Sequence, residues 1–269
     1  MERTITAQTR NIDKDILAVV RRQLGRNFVS LVCVGSRAYG DDLPDSDYDG
    51  FCYVRDYKSA KKLNLSAVEK RHGVRIGIAV RSIGDFVKCV ETPSDEVHYP
   101  NHRMRLLELK LGHARVVGGR NLSRKLPPLS KLLPADWKRG AQIDYWSAVL
   151  DMPTNVRRRE PRRHVGFIIA ICSALLTAKG LAAKKNDLPK AMRRHHPKFR
   201  VIDLLRRALR RRAVWPRIEN DRRELKNARK DLEKFLKIFR DYVFAGDDTD
   251  ATPEDARRYR ALILRQLKF

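Results

Sequence analysis

The stretch that most constrains the fold is LVCVGSRAYGDDLPDSDYDGFCYVRD, Leu31 to Asp56. Two short apolar runs, LVCV and FCYV, flank a turn that holds Gly35, Ser36 and the pair Asp47 and Asp49. Short apolar runs rich in β-branched and aromatic residues and bounded by turn residues read as strands. Side chains alternate along a strand, so Asp47 and Asp49 point the same way. Gly35 allows close backbone approach to a phosphate, and Ser36 adds a hydroxyl and an N–H at a predicted helix start. Two carboxylates on one face repel each other unless a cation joins them. Mg²⁺ suits the role, since it takes carboxylate oxygens together with substrate phosphates. Asp41, Asp42 and Asp45 read as ordinary turn residues.

The rest of the chain divides by pattern. Ile12, Ile16, Leu17, Val20 and Leu24 fall at helical spacing and end at Gly25. LVCVG, FCYVR and VRIGIAV read as three strands, and RVVGGRN as a short strand or loop. After the proline-punctuated connector LPPLSKLLP the pattern is helical throughout, in segments 135–151, 162–180, 185–195, 200–212, 219–245 and 253–267. An α/β domain over residues 1–130 and an all-helical domain over 131–269 are expected. The four cysteines show no metal-ligand or CxxC spacing. No apolar run approaches the ~20 residues of a membrane helix, and the first residues lack the apolar core of a secretory signal. A reducing cytoplasm is the expected location, with no membrane partner; the oligomeric state is left open.

Charge narrows the partner. The net charge is +26, and between Asp151 and Arg240 there are 27 Lys/Arg against 9 Asp/Glu, a net +18. The clusters RRREPRR (Arg157, Arg158, Arg159), RRHHPKFR (Arg193, Arg194) and RRALRRR (Arg210, Arg211, Arg212) read as a nucleic-acid-binding surface. Trp137, Tyr145, Trp146 and Trp215 are candidates for stacking on unpaired bases, although aromatics at helical spacing more often fill a core. His195 and His196 read as part of the same basic surface.

GSRAYGDDLPDSDYD resembles the Gly-Ser…Asp-x-Asp signature of the DNA polymerase β-like nucleotidyltransferase superfamily, above all its small bacterial and phage branches. The resemblance implies an α+β fold: a small mixed-sheet nucleotidyltransferase domain followed by an all-helical domain. It implies Gly35, Ser36, Arg37 and Ser46 at the triphosphate, and Asp47 and Asp49 as catalytic metal ligands. IIAICSALLTAKGLAAKKNDLPKAM is similar to the helical segment of aminoglycoside nucleotidyltransferases that carries a phosphate-facing lysine, which implies Lys185, with Lys184 beside it. The implied cofactor is Mg²⁺ and the implied substrate an NTP, ATP or CTP.

One feature of the family is missing. Its members usually carry a third carboxylate on the next strand to activate the acceptor hydroxyl. In VRIGIAV, Val74, Ile76, Ile78 and Val80 belong to the core, while Arg75, Gly77 and Ala79 make up the other face. Glu69, Glu91, Glu96 and Glu108 are substitutes only by rearrangement, and Asp144 and Asp187 are candidates from the helical half. The expected function is Mg-dependent transfer of an NMP to an acceptor hydroxyl on tRNA or another RNA, because a polycationic aminoglycoside would favour an acidic cleft. The alternatives are a non-catalytic RNA-binding or ribonucleoprotein component that keeps the fold, and an aminoglycoside-type small-molecule enzyme.

Overall fold

The computed structural model describes residues 5–261 except 45, 59, 61–62, 92–99, 135, 158–160, 246–250 and 259–260. The chain divides into two compact units, Met1–Leu133 and Pro134–Lys268. Among the described residues, no helix is long and apolar enough to cross a membrane.

The first unit is built on a four-stranded mixed sheet of order β3-β2-β1-β4. Its strands are β1 (Phe28–Val34), β2 (Tyr48–Val54), β3 (Ile76–Ser82) and β4 (Arg115–Gly119). β1 pairs antiparallel with β2 and β4, and β2 pairs parallel with β3. The helices are α1 (Ala7–Leu24), α2 (Ser36–Tyr39), α3 (Ser66–His72), α4 (Ile83–Glu91), α5 (Pro100–Leu111) and α6 (Leu129–Leu132). Strand alternation gives the sheet two apolar faces, each needing a cover. On one, Leu31, Cys33, Tyr48, Cys52 and Val54 pack with Ile12, Ile16 and Val20 of α1 and Val68 of α3. On the other, Val32, Val34 and Tyr53 pack with Phe86 of α4 and Leu106 and Leu107 of α5. The side chains sequence reading assigns to the core of β3, Ile76, Ile78 and Val80, pack against the first cluster.

The second unit is helical: α7 (Trp137–Arg157), α8 (Pro161–Ala178), α9 (Leu188–His195), α10 (Ile202–Ala213), α11 (Trp215–Ile218) and α12 (Arg222–Val243). The apolar helix α8 packs against α7, α9, α10 and α12. Its Ile168, Cys172 and Leu176 meet Leu205 and Ala208 of α10 and Phe235 and Phe239 of α12. The aromatics belong to this core: Tyr145 and Trp215 are buried, and Trp146 donates Nε1–H to the Ala251 carbonyl at 2.7 Å. His196 is a correction, because it is buried rather than surface. Its ring Nδ1 is 2.8 Å from the Tyr242 hydroxyl, and burial pushes its pKa down to about 4.

α10 shows how the excess of cations is accommodated. Arg207 and Arg211, one turn apart, both reach Asp231 of α12, Arg207 through Nη2 at 2.8 Å and Arg211 through Nη1 at 2.6 Å. Arg211 also donates Nε–H to Glu224 at 2.9 Å. Burial opposes ionisation of Asp231, but the hydrogen bonds from the two guanidinium groups outweigh it and hold its pKa below the ordinary carboxylate value. A carboxylate with a lowered folded-state pKa stabilises the fold above its ordinary value and loses that contribution as pH falls through the folded value. Asp231→Asn is expected to cost about 1–3 kcal/mol at pH 7. Urea titrations of variant and parent should converge as pH falls below 3.8, and an equal gap at every pH contradicts the assignment.

Candidate active site

β1 ends at Val34, which pairs with Asp49 near the start of β2. The chain between them turns at Gly35, whose φ of 70° lies in the left-handed region that glycine adopts without strain, and enters the single-turn helix α2 at Ser36. Exposure alternates from the residue before β2 into the strand: Asp47 and Asp49 are exposed, while Tyr48 and Gly50 are buried. A Cβ built on Gly35 would lie 3.7 Å from Asp49 Oδ2. The structure thus brings together the glycine turn and Asp49, and leaves Asp47, the residue before β2, exposed.

Behind this face lies a network that sequence reading missed. The buried Tyr48 hydroxyl donates to Asp13 Oδ1 at 2.7 Å, and Arg115 Nη2 of β4 donates to Asp13 Oδ2 at 2.6 Å. Burial raises the Asp13 pKa, and its hydrogen bonds with Tyr48 and Arg115 offset part of that effect. Because Tyr48 stands between the two acids, anchoring its ring on α1 fixes which face they take. The available signal was in α1, where Thr9 and Asp13 are polar residues one turn apart on the buried stripe of Ile12, Ile16 and Val20.

Arg37 and Ser46 are corrections. Arg37 has zero exposure, and its guanidinium is consumed by the protein. Nε and Nη2 donate to the Ser46 carbonyl at 3.0 and 2.7 Å, and Nη1 donates to Thr9 Oγ1 at 3.0 Å and Asp42 Oδ2 at 3.3 Å. No donor remains aimed at a nucleotide. The Ser46 hydroxyl, also buried, accepts from the Leu43 N–H at 2.8 Å. Asp42 is more than a turn residue, since it takes this ion pair and the Thr6 and Thr9 hydroxyls, each at 3.1 Å.

The missing third acid has a location. In the parallel pairing of β2 with β3, Asp49 stands opposite Gly77, and a Cβ built on Gly77 would lie 3.0 Å from Asp49 Oδ1. That is closer than side chains normally pack, so the Asp49 carboxylate occupies space a β3 side chain would need. Glu69 accepts from the Ile76 N–H at 2.7 Å and so caps β3. Glu108 lies in α5; Glu96 falls outside the described residues, as does the Glu91 side chain. Asp144, in α7, has no hydrogen-bond or ion partner among the described residues, and burial pushes its pKa up to about 7. Asp187 is exposed.

In the second unit, Lys184 precedes the short 3₁₀ turn Lys185–Asp187 ahead of α9. Arg157 closes α7, and Arg158 and Arg159 lie outside the described residues. Arg193 and Arg194 are exposed near the end of α9, and Arg210 is exposed on α10. Arg211 is bound to Glu224 and Asp231 and is withdrawn from the nucleic-acid set; Arg212, next to it, is half-buried.

Residues 14–105 match the model of the nucleotidyltransferase domain family. That match spans less than half of the chain, and over it the first unit is similar to an enzyme domain of the nucleotidyltransferase type. Among solved structures, the chain is similar to spectinomycin adenyltransferase AAD(9) from Enterococcus faecialis, crystallised with ATP and spectinomycin. The two share 14% identity over 96% of this chain and 98% of that one, with a TM-score of 0.46. Among curated proteins, none matches the sequence.

For this nucleotidyltransferase-like unit the burial of Arg37 sets a test. Arg37→Ala leaves Asp42 buried without its counter-charge, and is expected to cost about 3–5 kcal/mol of stability. Denaturant titration measures that loss. A stable variant with weakened NTP binding would return Arg37 to the triphosphate site.

Proposed function

We propose that the chain transfers a nucleoside monophosphate from an Mg²⁺-bound NTP to a hydroxyl of an RNA acceptor. The observation that carries this reading is the pair of exposed carboxylates at the start of β2, Asp49 beside the glycine turn and Asp47 two positions earlier. The donor set fits Mg²⁺: two carboxylates from adjacent same-face positions leave coordination sites for phosphate oxygens and water. When bound there, the metal would supply charge neutralisation at the α-phosphate and orient the displacement.

The chain's own groups do the remaining work. Asp47 and Asp49 hold the metal-binding edge, and the Tyr48–Asp13–Arg115 network keeps that edge facing out. Gly35 admits the triphosphate to the backbone, and the Ser36 hydroxyl contacts a phosphate oxygen. In the transfer, the acceptor oxygen bonds to the α-phosphorus and the bond to the bridging oxygen breaks. Pyrophosphate leaves, and the hydroxyl proton passes to solvent. With Gly77 opposite Asp49, β3 offers no carboxylate to take that proton, which fits an acceptor that approaches with its reacting hydroxyl open to water.

RNA is favoured by the second unit, where the net +18 between Asp151 and Arg240 would repel a polycationic aminoglycoside and supplies counter-charge for phosphates. ATP and CTP are the donors we favour. Incubation with each α-labelled NTP, Mg²⁺ and total RNA is expected to label RNA. Label on an aminoglycoside with none on RNA would overturn the acceptor assignment. Asp47→Asn and Asp49→Asn are each expected to abolish transfer while leaving the melting temperature unchanged or higher, because each removes carboxylate repulsion. Undiminished transfer in both variants would place the catalytic centre elsewhere.

A further inference from the structure

The cations of α9 and α10 are of two kinds. Over residues 188–212 there are ten Lys/Arg and one acid, Asp203. Arg207 and Arg211 face α12 and are neutralised by Asp231 and Glu224. Arg206 and Arg210, also one turn apart, lie on a different face of α10. With Lys190 and Arg193 of α9 they line an open groove of about 390 Å³ whose floor includes Pro189 and Leu209. All four cations are exposed. Lys190, Arg193 and Arg210 have no acid partner among the described residues, and Arg206 has only Asp203 at 3.6 Å, an exposed pair of the kind that contributes little.

This placement costs stability and so asks for a ligand. Like charges one turn apart on a helix repel, and four cations around one concavity repel further. The acids that could have relieved them sit on the other side of α10, in a network that holds α12. The groove lining sets these four charges beside the Asn186 side chain, Pro189 and Leu209. Three of the four cations are arginines, whose planar fork matches phosphate oxygens in pairs. A surface dominated by such charge recognises a run of phosphates with little regard to sequence.

We propose that the groove between α9 and α10 binds the phosphate backbone of the RNA acceptor, with Lys190, Arg193, Arg206 and Arg210 as its contacts. The inference rests on the reading of RNA as acceptor, and it separates these cations from Arg207 and Arg211, which hold the fold.

The test compares two triple variants of the full chain for binding to a fluorescent polyuridylate oligonucleotide across a salt series. Arg193→Ser/Arg206→Ser/Arg210→Ser empties the groove, and Lys226→Ser/Lys230→Ser/Lys234→Ser removes the same charge from exposed positions of α12. The groove triple is expected to weaken binding by about tenfold or more near 0.1 M salt, and to reduce the log–log salt slope by about 2, roughly 0.7 for each lost contact. The α12 triple should weaken binding less than about threefold. Equal losses in both triples, or parent-like binding by the groove triple, would each overturn the proposal. If the groove triple fails to fold by circular dichroism, the single exposed substitution Arg206→Glu is read in the same assay with the same expected direction. A parent chain that labels RNA while both triples bind it alike overturns the groove alone; a parent that labels no RNA overturns the acceptor reading instead.

Discussion

The turn that leads to the candidate active-site acids is held by one buried charge. Arg37 leaves the glycine turn and points inward, where it gathers the Ser46 carbonyl, the Thr9 hydroxyl and the Asp42 carboxylate. A guanidinium without exposure is tolerated only when its donors are satisfied and its charge is matched. Asp42 and Ser46 supply both, and Asp42 is in turn held to α1 through Thr9. Asp47 follows directly and enters β2 with its direction already set. Tyr48 repeats the device one residue later, its hydroxyl tied to Asp13 and through it to Arg115 on β4. Rigidity beneath the site frees its exposed surface for chemistry: the two carboxylates face outward because what surrounds them is anchored inward.

The second unit divides its charge by a similar logic. The helix α10 packs on α8 through Leu205 and Ala208, and where its arginines meet α12 that helix answers through Asp231 and Glu224. Arg206 and Arg210 of α10 are left exposed. Paired and exposed arginines thus alternate along one helix, and the partition follows from the roughly 100° turn between successive helical residues.

Much of this was legible in the sequence where the signal was local. The alternation of Asp47, Tyr48 and Asp49 needs only strand periodicity, and Gly35 at the end of an apolar run needs only turn chemistry. The family resemblance of that stretch agrees with the matched domain, and the mixed sheet with helices after it is the architecture it implied. Arg37 misled because a cation beside a phosphate-binding turn reads as a ligand, whereas its partner Thr9 lies 28 residues earlier. Asp13 and Arg115 are separated by 102 residues, and no pattern within a strand or helix points from one to the other. Arg210 and Arg211 are indistinguishable in RRALRRR, yet one lines a groove and the other is spent on α12, because their roles depend on a helix that begins ten residues after Arg212.

The central claim is that Asp47 and Asp49 together hold the catalytic metal against a triphosphate seated on the Gly35–Ser36 turn. The most direct measurement is a crystal structure of the chain with Mn²⁺ in place of Mg²⁺ and a non-hydrolysable ATP analogue, located by anomalous scattering. The account predicts an anomalous peak within coordinating distance of both carboxylates and of the triphosphate oxygens, with the phosphates against the backbone of Gly35 and Ser36. A metal bound away from β2, or a triphosphate that ignores the glycine turn, would contradict it.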